Sequence, residues 1–189
     1  GPSQIRPLLS QGSNFVNHLG HSSTTYNMRL SNNQASSTTI TNNGTNGNFS
    51  LYFSQGCYAG SFDNRETYEG LYTSDCFTEK LTSLPTGAVG MISHSRYVWG
   101  TNGSTNCASQ RFHRQYIDAI FGESIHEYGY TLVDSKVDNI PYINNSSVNL
   151  WVAYETNLFG CPALKVWSDI PQTIIASLQN NLVDRKSVV

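Results

Sequence analysis

Short apolar runs alternating with longer runs of helical periodicity constrain this chain more than any other feature. "NFVNHLGH" (14–21) reads as a buried strand ending at a glycine turn, "FSLYFS" (49–54) alternates Phe49, Leu51 and Phe53, and "GAVGMIS" (87–93) reads as another buried strand. Between and after them lie helical stretches. In "SDCFTEKLTSL" (74–84) a Ser/Asp start followed by Glu79 predicts a capped helix. "SQRFHRQYIDAIFG" (109–122) gathers Phe112, Tyr116, Ala119 and Ile120 on one face and stops at Gly122. "SSVNLWVAYETNLFG" (146–160) reads as helical throughout, and "PALKVW" (162–167) as a short strand. Strands alternating with helices predict an α/β fold, a three-layer sandwich with a mostly parallel sheet covered by helices on both faces.

A length of 189 residues suffices for one domain with a real core. The stretch "SDIPQT" marks a boundary, so 1–168 is expected to form the domain and 169–189 a linker or the start of a following module. The tract 27–48 is too long and too polar for a plain connector. Charged residues are 13% and the formal net charge is −2 with no basic block, so nothing points to a nucleic-acid or anionic-membrane partner, and no nucleic acid is expected. No apolar run is long enough to span a membrane, and no signal-peptide pattern occurs. Low charge with abundant Asn, Ser and Thr suits a protein working outside the cell.

In a parallel sheet, functional groups collect beyond the carboxyl ends of the strands. Two of the expected strands end in reactive residues, one at Gly20-His21 and the next at Gly56-Cys57. If the strands are neighbours, an imidazole and a thiol emerge on one edge. A free thiol is only a few per cent thiolate at neutral pH, and an adjacent imidazole can take up its proton. Against this stands the plain reading that a cysteine after an apolar strand is a small buried hydrophobe. His18 and His21 lie three apart, a spacing that turns strand side chains to opposite faces and argues against a shared metal. His94, His113 and His126 read as partly buried or surface histidines, Trp151 and Trp167 as core aromatics. Cys76, Cys107 and Cys161 could supply one disulfide, with the pairing open.

Taken in order, "VNHLGHSS", "SQGCYAGSFD", "CFTEKL", "GAVGMISHSRYVWG", "SQRFHRQYIDAIFGESIHEYG", "DSKVDNIPYIN" and "YETNLFGCPAL" resemble the gingipain-type cysteine peptidases, family C25 of the caspase-like clan, over about residues 5–167. The resemblance implies a caspase/gingipain-like sheet and a secreted or cell-surface cysteine endopeptidase. It makes Cys57 the nucleophile and His21 its histidine, with the backbone N–H groups of Cys57 and Ser22 as the oxyanion hole. Trp99 matches an aromatic wall of the primary specificity pocket, and Glu79 a recurrent structural carboxylate. No third residue is required to hold His21. No cofactor is implied for the chemistry; a structural calcium ion is compatible with the family but has no assignable ligands.

Two positions depart from the family pattern. Ser22 follows the histidine where the family has glycine, and Cys161 stands where the family has aspartate in "GDP". Serine keeps the N–H donor, while its side chain can crowd the substrate path or restrict the backbone. The competing class is a non-catalytic relative acting as a surface or binding module, and a cysteine transferase on the same scaffold is a third. Family members carry an upstream α/β subdomain that supplies part of the pocket. The expected partners are therefore a protein or peptide substrate and an upstream subdomain or processed chain, with apolar surface exposed where that partner docks.

Overall fold

A computed structural model describes residues 1–45, 47–65 and 74–169. Helix α1 (Pro2–Gln11) leads into β1 (Phe15–Leu19), a small hairpin of β2 (Tyr26–Asn27) and β3 (Leu30–Ser31), and β4 (Ser50–Gln55). Then follow α2 (Phe77–Ser83), β5 (Ala88–His94), α3 (Ala108–Phe121), α4 (Tyr128–Asp138), α5 (Ile140–Ile143), α6 (Ser147–Glu155) and β6 (Thr156–Gly160). The main sheet has the order β1-β4-β5-β6. Strands β1, β4 and β5 run parallel, and β6 is antiparallel to β5.

Every residue of β4 is buried, because helices cover both faces of this central strand. Tyr52 joins Met91, Leu9, Phe77 and Leu81 on the face covered by α1 and α2. Leu51 and Phe53 join Ile92, Tyr116, Ile120, Tyr128 and Leu132 on the face covered by α3 and α4. The four residues expected on one face of α3 are all buried there. The polar tract is not a connector either: Met28, Leu30, Ala35 and Ile40 fill the first core.

Three expectations are corrected. Residues 146–160 are not one helix: α6 stops at Glu155 and the chain passes directly into β6. Gly160 lies opposite Gly90 with φ of 129°, and a methyl group on it would come within 2.9 Å of the Gly90 Cα, so this close pairing needs glycine at 160. Residues 162–167 are not a strand of the sheet. The carbonyls of Pro162 and Leu164 accept from the N–H groups of Gly129 (2.8 Å) and Tyr128 (2.7 Å), so the segment caps α4. Trp151 and Trp167 are not core residues but 44% and 52% exposed.

Trp151, Leu150 and Tyr154 of α6, and Tyr130, Val133 and Val137 of α4, are exposed apolar side chains of the kind expected where a partner docks. No described helix is long and apolar enough to cross a membrane. The expected tail lies outside the described residues from position 170 onward.

Candidate active site

Strands β1 and β4 are parallel neighbours, with Leu19 opposite Gln55. His21 and Cys57 each lie two residues further on, so both leave the carboxyl edge of the sheet side by side. His21 is exposed, and among the described residues its imidazole has no hydrogen-bond or ion-pair partner. Cys57 is half-buried and free.

The turn after β4 is tied down on two sides. The N–H groups of Tyr58 and Gly60 donate to the carbonyls of Arg96 (3.0 Å) and His94 (2.9 Å), extending the sheet beyond β5. The first N–H groups of α2, which have no partner inside the helix, are satisfied by the two site loops. Phe77 donates to the Thr24 carbonyl at 2.6 Å and Thr78 to the Ala59 carbonyl at 3.0 Å. Tyr58 carries the strain of this turn, with φ of 60° in the left-handed region, a conformation costing roughly 1–3 kcal/mol for a side-chain-bearing residue.

Ser22 makes the direct link between the two loops. Its hydroxyl donates to the Cys57 carbonyl at 2.6 Å. Gly56 leaves the room for it, since a methyl group at that position would lie 2.3 Å from the Ser22 Oγ. The side chain therefore points at the turn that carries Cys57. Among the described residues, no carbonyl accepts from the backbone N–H of Ser22 or of Cys57.

Below the loops runs a polar network with no counterpart in the sequence reading. Ser54 Oγ meets His18 Nδ1 at 2.9 Å and accepts from Asn27 Nδ2 at 2.9 Å. It ties β1, β4 and the hairpin together beneath the site. Asn27 Oδ1 also accepts from the Met28 N–H at 2.7 Å, bracing a turn in which Met28 and Arg29 both have positive φ. Burial pushes the His18 imidazole below its ordinary value.

The Val98 N–H donates to the Cys57 sulfur at 3.3 Å. Burial pushes this thiol above its ordinary value; the Val98 N–H works against that rise and the negative charge of Glu155 adds to it. Trp99 follows Val98 and is 45% exposed. Its backbone docks on the start of α3, its N–H donating to Ser109 Oγ at 2.9 Å. Glu79 sits apart from the chemistry, accepting from the Cys76 N–H at 2.8 Å; the cap of α2 is Cys76, not Ser74 or Asp75. A groove of about 870 Å³ runs along the outer edge of β1, with Ile5, Leu8, Leu19, His21 and Arg29 in its walls; Cys57 does not line it.

All four cysteines are free, with Cys76 and Cys107 buried and Cys161 exposed, so the disulfide considered for the last three is not formed. Cys161 follows Gly160, opposite the start of β5, and so lies at the sheet edge remote from Cys57. His94 is wholly buried rather than partly so, beside Glu155. Among the described residues, Glu123, Asp134 and Asp138 bring carboxylate oxygens within 4.8 Å of one another, the one group with metal-binding spacing.

A profile of peptidase family C25 matches residues 2–167. The fold matches solved proteases. The crystal structure of gingipain R, an Arg-specific cysteine proteinase, superposes with a TM-score of 0.67 at 19% identity, over 87% of this chain and 36% of the other. A complex of the pro- and mature domains of Porphyromonas gingivalis RgpB gives 0.65 at 19% identity, over 87% and 37%. A third structure, described only as a protease, gives 0.67 at 19% identity, over 95% and 42%. The chain thus spans well under half the length of the solved proteins it matches. No curated protein matches it in sequence.

Proposed function

Since the chain belongs to peptidase family C25, as a gingipain-type peptidase domain, we propose that it works as the nucleophile-bearing part of a secreted or surface cysteine endopeptidase. The observation carrying this reading is the emergence of His21 and Cys57 from adjacent parallel strands, each two residues past the paired Leu19 and Gln55. Burial holds the Cys57 thiol neutral at rest, so its proton passes to His21 as the sulfur attacks the scissile carbonyl. The N–H groups of Cys57 and Ser22, which no protein carbonyl occupies, stabilise the oxyanion. His21 then protonates the leaving amine, and water hydrolyses the thioester. Trp99 forms an apolar wall for the residue before the scissile bond. An upstream subdomain or processed chain completes the pocket, and the exposed faces of α4 and α6 are candidates for its seat.

The test is peptide-library cleavage by the full protein, its Cys57→Ala variant and its His21→Ala variant. Selective turnover that Cys57→Ala abolishes and His21→Ala lowers by orders of magnitude supports the reading. Turnover unchanged in Cys57→Ala refutes it, and no turnover in any form supports a non-catalytic relative.

A further inference from the structure

Glu155 has no part in the reaction just described, yet it stands at the root of the segment that touches the nucleophile. It is 3% exposed, the last residue of α6. Its Oε2 accepts from the Arg96 N–H at 3.0 Å, and its backbone carbonyl from the Ser95 N–H at 2.9 Å. Its Oε1 faces Nδ1 of the buried His94 at 3.5 Å. The segment gripped in this way, 94–98, holds both sides of the nucleophile turn. Its carbonyls at His94 and Arg96 accept from Gly60 and Tyr58, and its Val98 N–H reaches the Cys57 sulfur. Burial pushes the Glu155 carboxyl above its ordinary value, with His94 and Arg96 working against that rise, and in its ionised form it acts on the nearby thiol electrostatically as well as mechanically.

We propose that Glu155 is a positioning residue for Cys57: its carboxylate, anchored on the Arg96 N–H, fixes the 94–98 segment so that the Val98 N–H stays on the sulfur, while its charge opposes thiolate formation in the resting site. This deepens the proposed function and rests on Cys57 being the reactive thiol. The groups around the carboxylate are few. His94 faces it from β5 with His113 of α3 behind. Arg96 faces it from the loop, Cys57 lies across the turn, and Lys136 of α4 donates to the neighbouring Thr156 carbonyl at 2.8 Å.

Two variants separate the two effects. Glu155→Gln keeps an oxygen for the Arg96 N–H and removes the charge. Glu155→Asp keeps the charge and withdraws its reach. The readout is the pH dependence of Cys57 alkylation by iodoacetamide in the full chain, with folding checked by circular dichroism and adducts mapped by mass spectrometry. Glu155→Gln is expected to move the profile to lower pH, raising the rate at neutral pH severalfold. Glu155→Asp is expected to move it to higher pH, because the Val98 donor is no longer held in place. Profiles for both variants that coincide with wild type, or move the same way, overturn the proposal. If Glu155→Gln does not fold, Glu155→Asp alone decides, and coincidence with wild type overturns it. Alkylation needs no peptide hydrolysis, so a protein that never cleaves peptides loses the proposed function without touching this result.

Discussion

The contact between Ser22 and Gly56 makes a double-mutant prediction that separates a designed fit from accidental proximity. Gly56 does not have positive φ, so an alanine there meets no backbone strain and its cost is steric. The new methyl group would lie 2.3 Å from Ser22 Oγ and 2.8 Å from Ser22 Cβ, but 3.2 Å from Ser54 Oγ, a contact small shifts can absorb. In the wild-type background, Gly56→Ala must expel the serine side chain. It should cost roughly 1–3 kcal/mol for overpacking, including the lost hydrogen bond to the Cys57 carbonyl, itself worth about 1 kcal/mol. Ser22→Gly alone should cost about 1 kcal/mol through that bond, plus a few tenths for the freer backbone. In the double variant the clash is gone, so its loss should fall short of the sum of the single losses by about 1 kcal/mol or more. Urea unfolding of the four proteins gives the cycle, and iodoacetamide rates show whether the turn carrying Cys57 follows the same pattern. A coupling below about 0.5 kcal/mol would refute the interlock. Ser22 would then be a bystander whose hydroxyl happens to reach a carbonyl.

Limiting iodoacetamide on the native protein should label Cys57 and the exposed Cys161 and spare Cys76 and Cys107, which are buried, with burial and the Glu79 carboxylate holding Cys76 up at about 12; early labelling of Cys76 would contradict its buried place at the cap of α2. Burial lowers the His113 imidazole to about 4, aided by nearby His94, so the unfolded chain takes up a proton there that the folded one refuses. Stability should therefore fall as pH drops from 6.5 toward 4, and His113→Gln should flatten that slope in urea midpoints; an unchanged slope counts against the assignment. Tyr128 donates to the Tyr52 carbonyl and accepts from the Ile92 N–H at 3.0 Å, all within the core. Tyr128→Phe should cost roughly 1–3 kcal/mol by orphaning both groups, and a loss under half of one would show that β4 and β5 close the gap themselves.

The strands bearing His21 and Cys57 were legible because each combines an apolar run with a glycine break, and the α3 face because four apolar positions recur at helical spacing. The α6–β6 junction was not. "LWVAYETNLF" carries apolar residues through both elements, and only the antiparallel partner at Gly90 decides where the helix yields to a strand. Trp151 and Trp167 illustrate a second limit: large aromatics usually mark a core, but the fold turns these two outward. Of the proposed site, the placement of His21 and Cys57 just past two strand ends could be read locally. The supports could not, since Ser54, Asn27, Val98 and Glu155 meet their partners only after the chain has crossed the sheet. A buried Glu two strands away from the cysteine leaves no local signal, and its distance in sequence from Arg96 hides it.

His21 and Cys57 hang from strands of different standing. β4 is clamped between β1 and β5, while β1 is paired on one side only among the described residues. The outward amides of β1 can therefore exchange with water without the sheet opening, whereas those of β4 are released only by wholesale unfolding. The imidazole consequently rides on the softer mount and the thiol on the stiffer one. Gentle warming should loosen the histidine turn first, so that the proposed proton transfer falters while the sulfur still holds its place, and a chain pressed along the outer edge of β1 would stiffen the softer half of the pair.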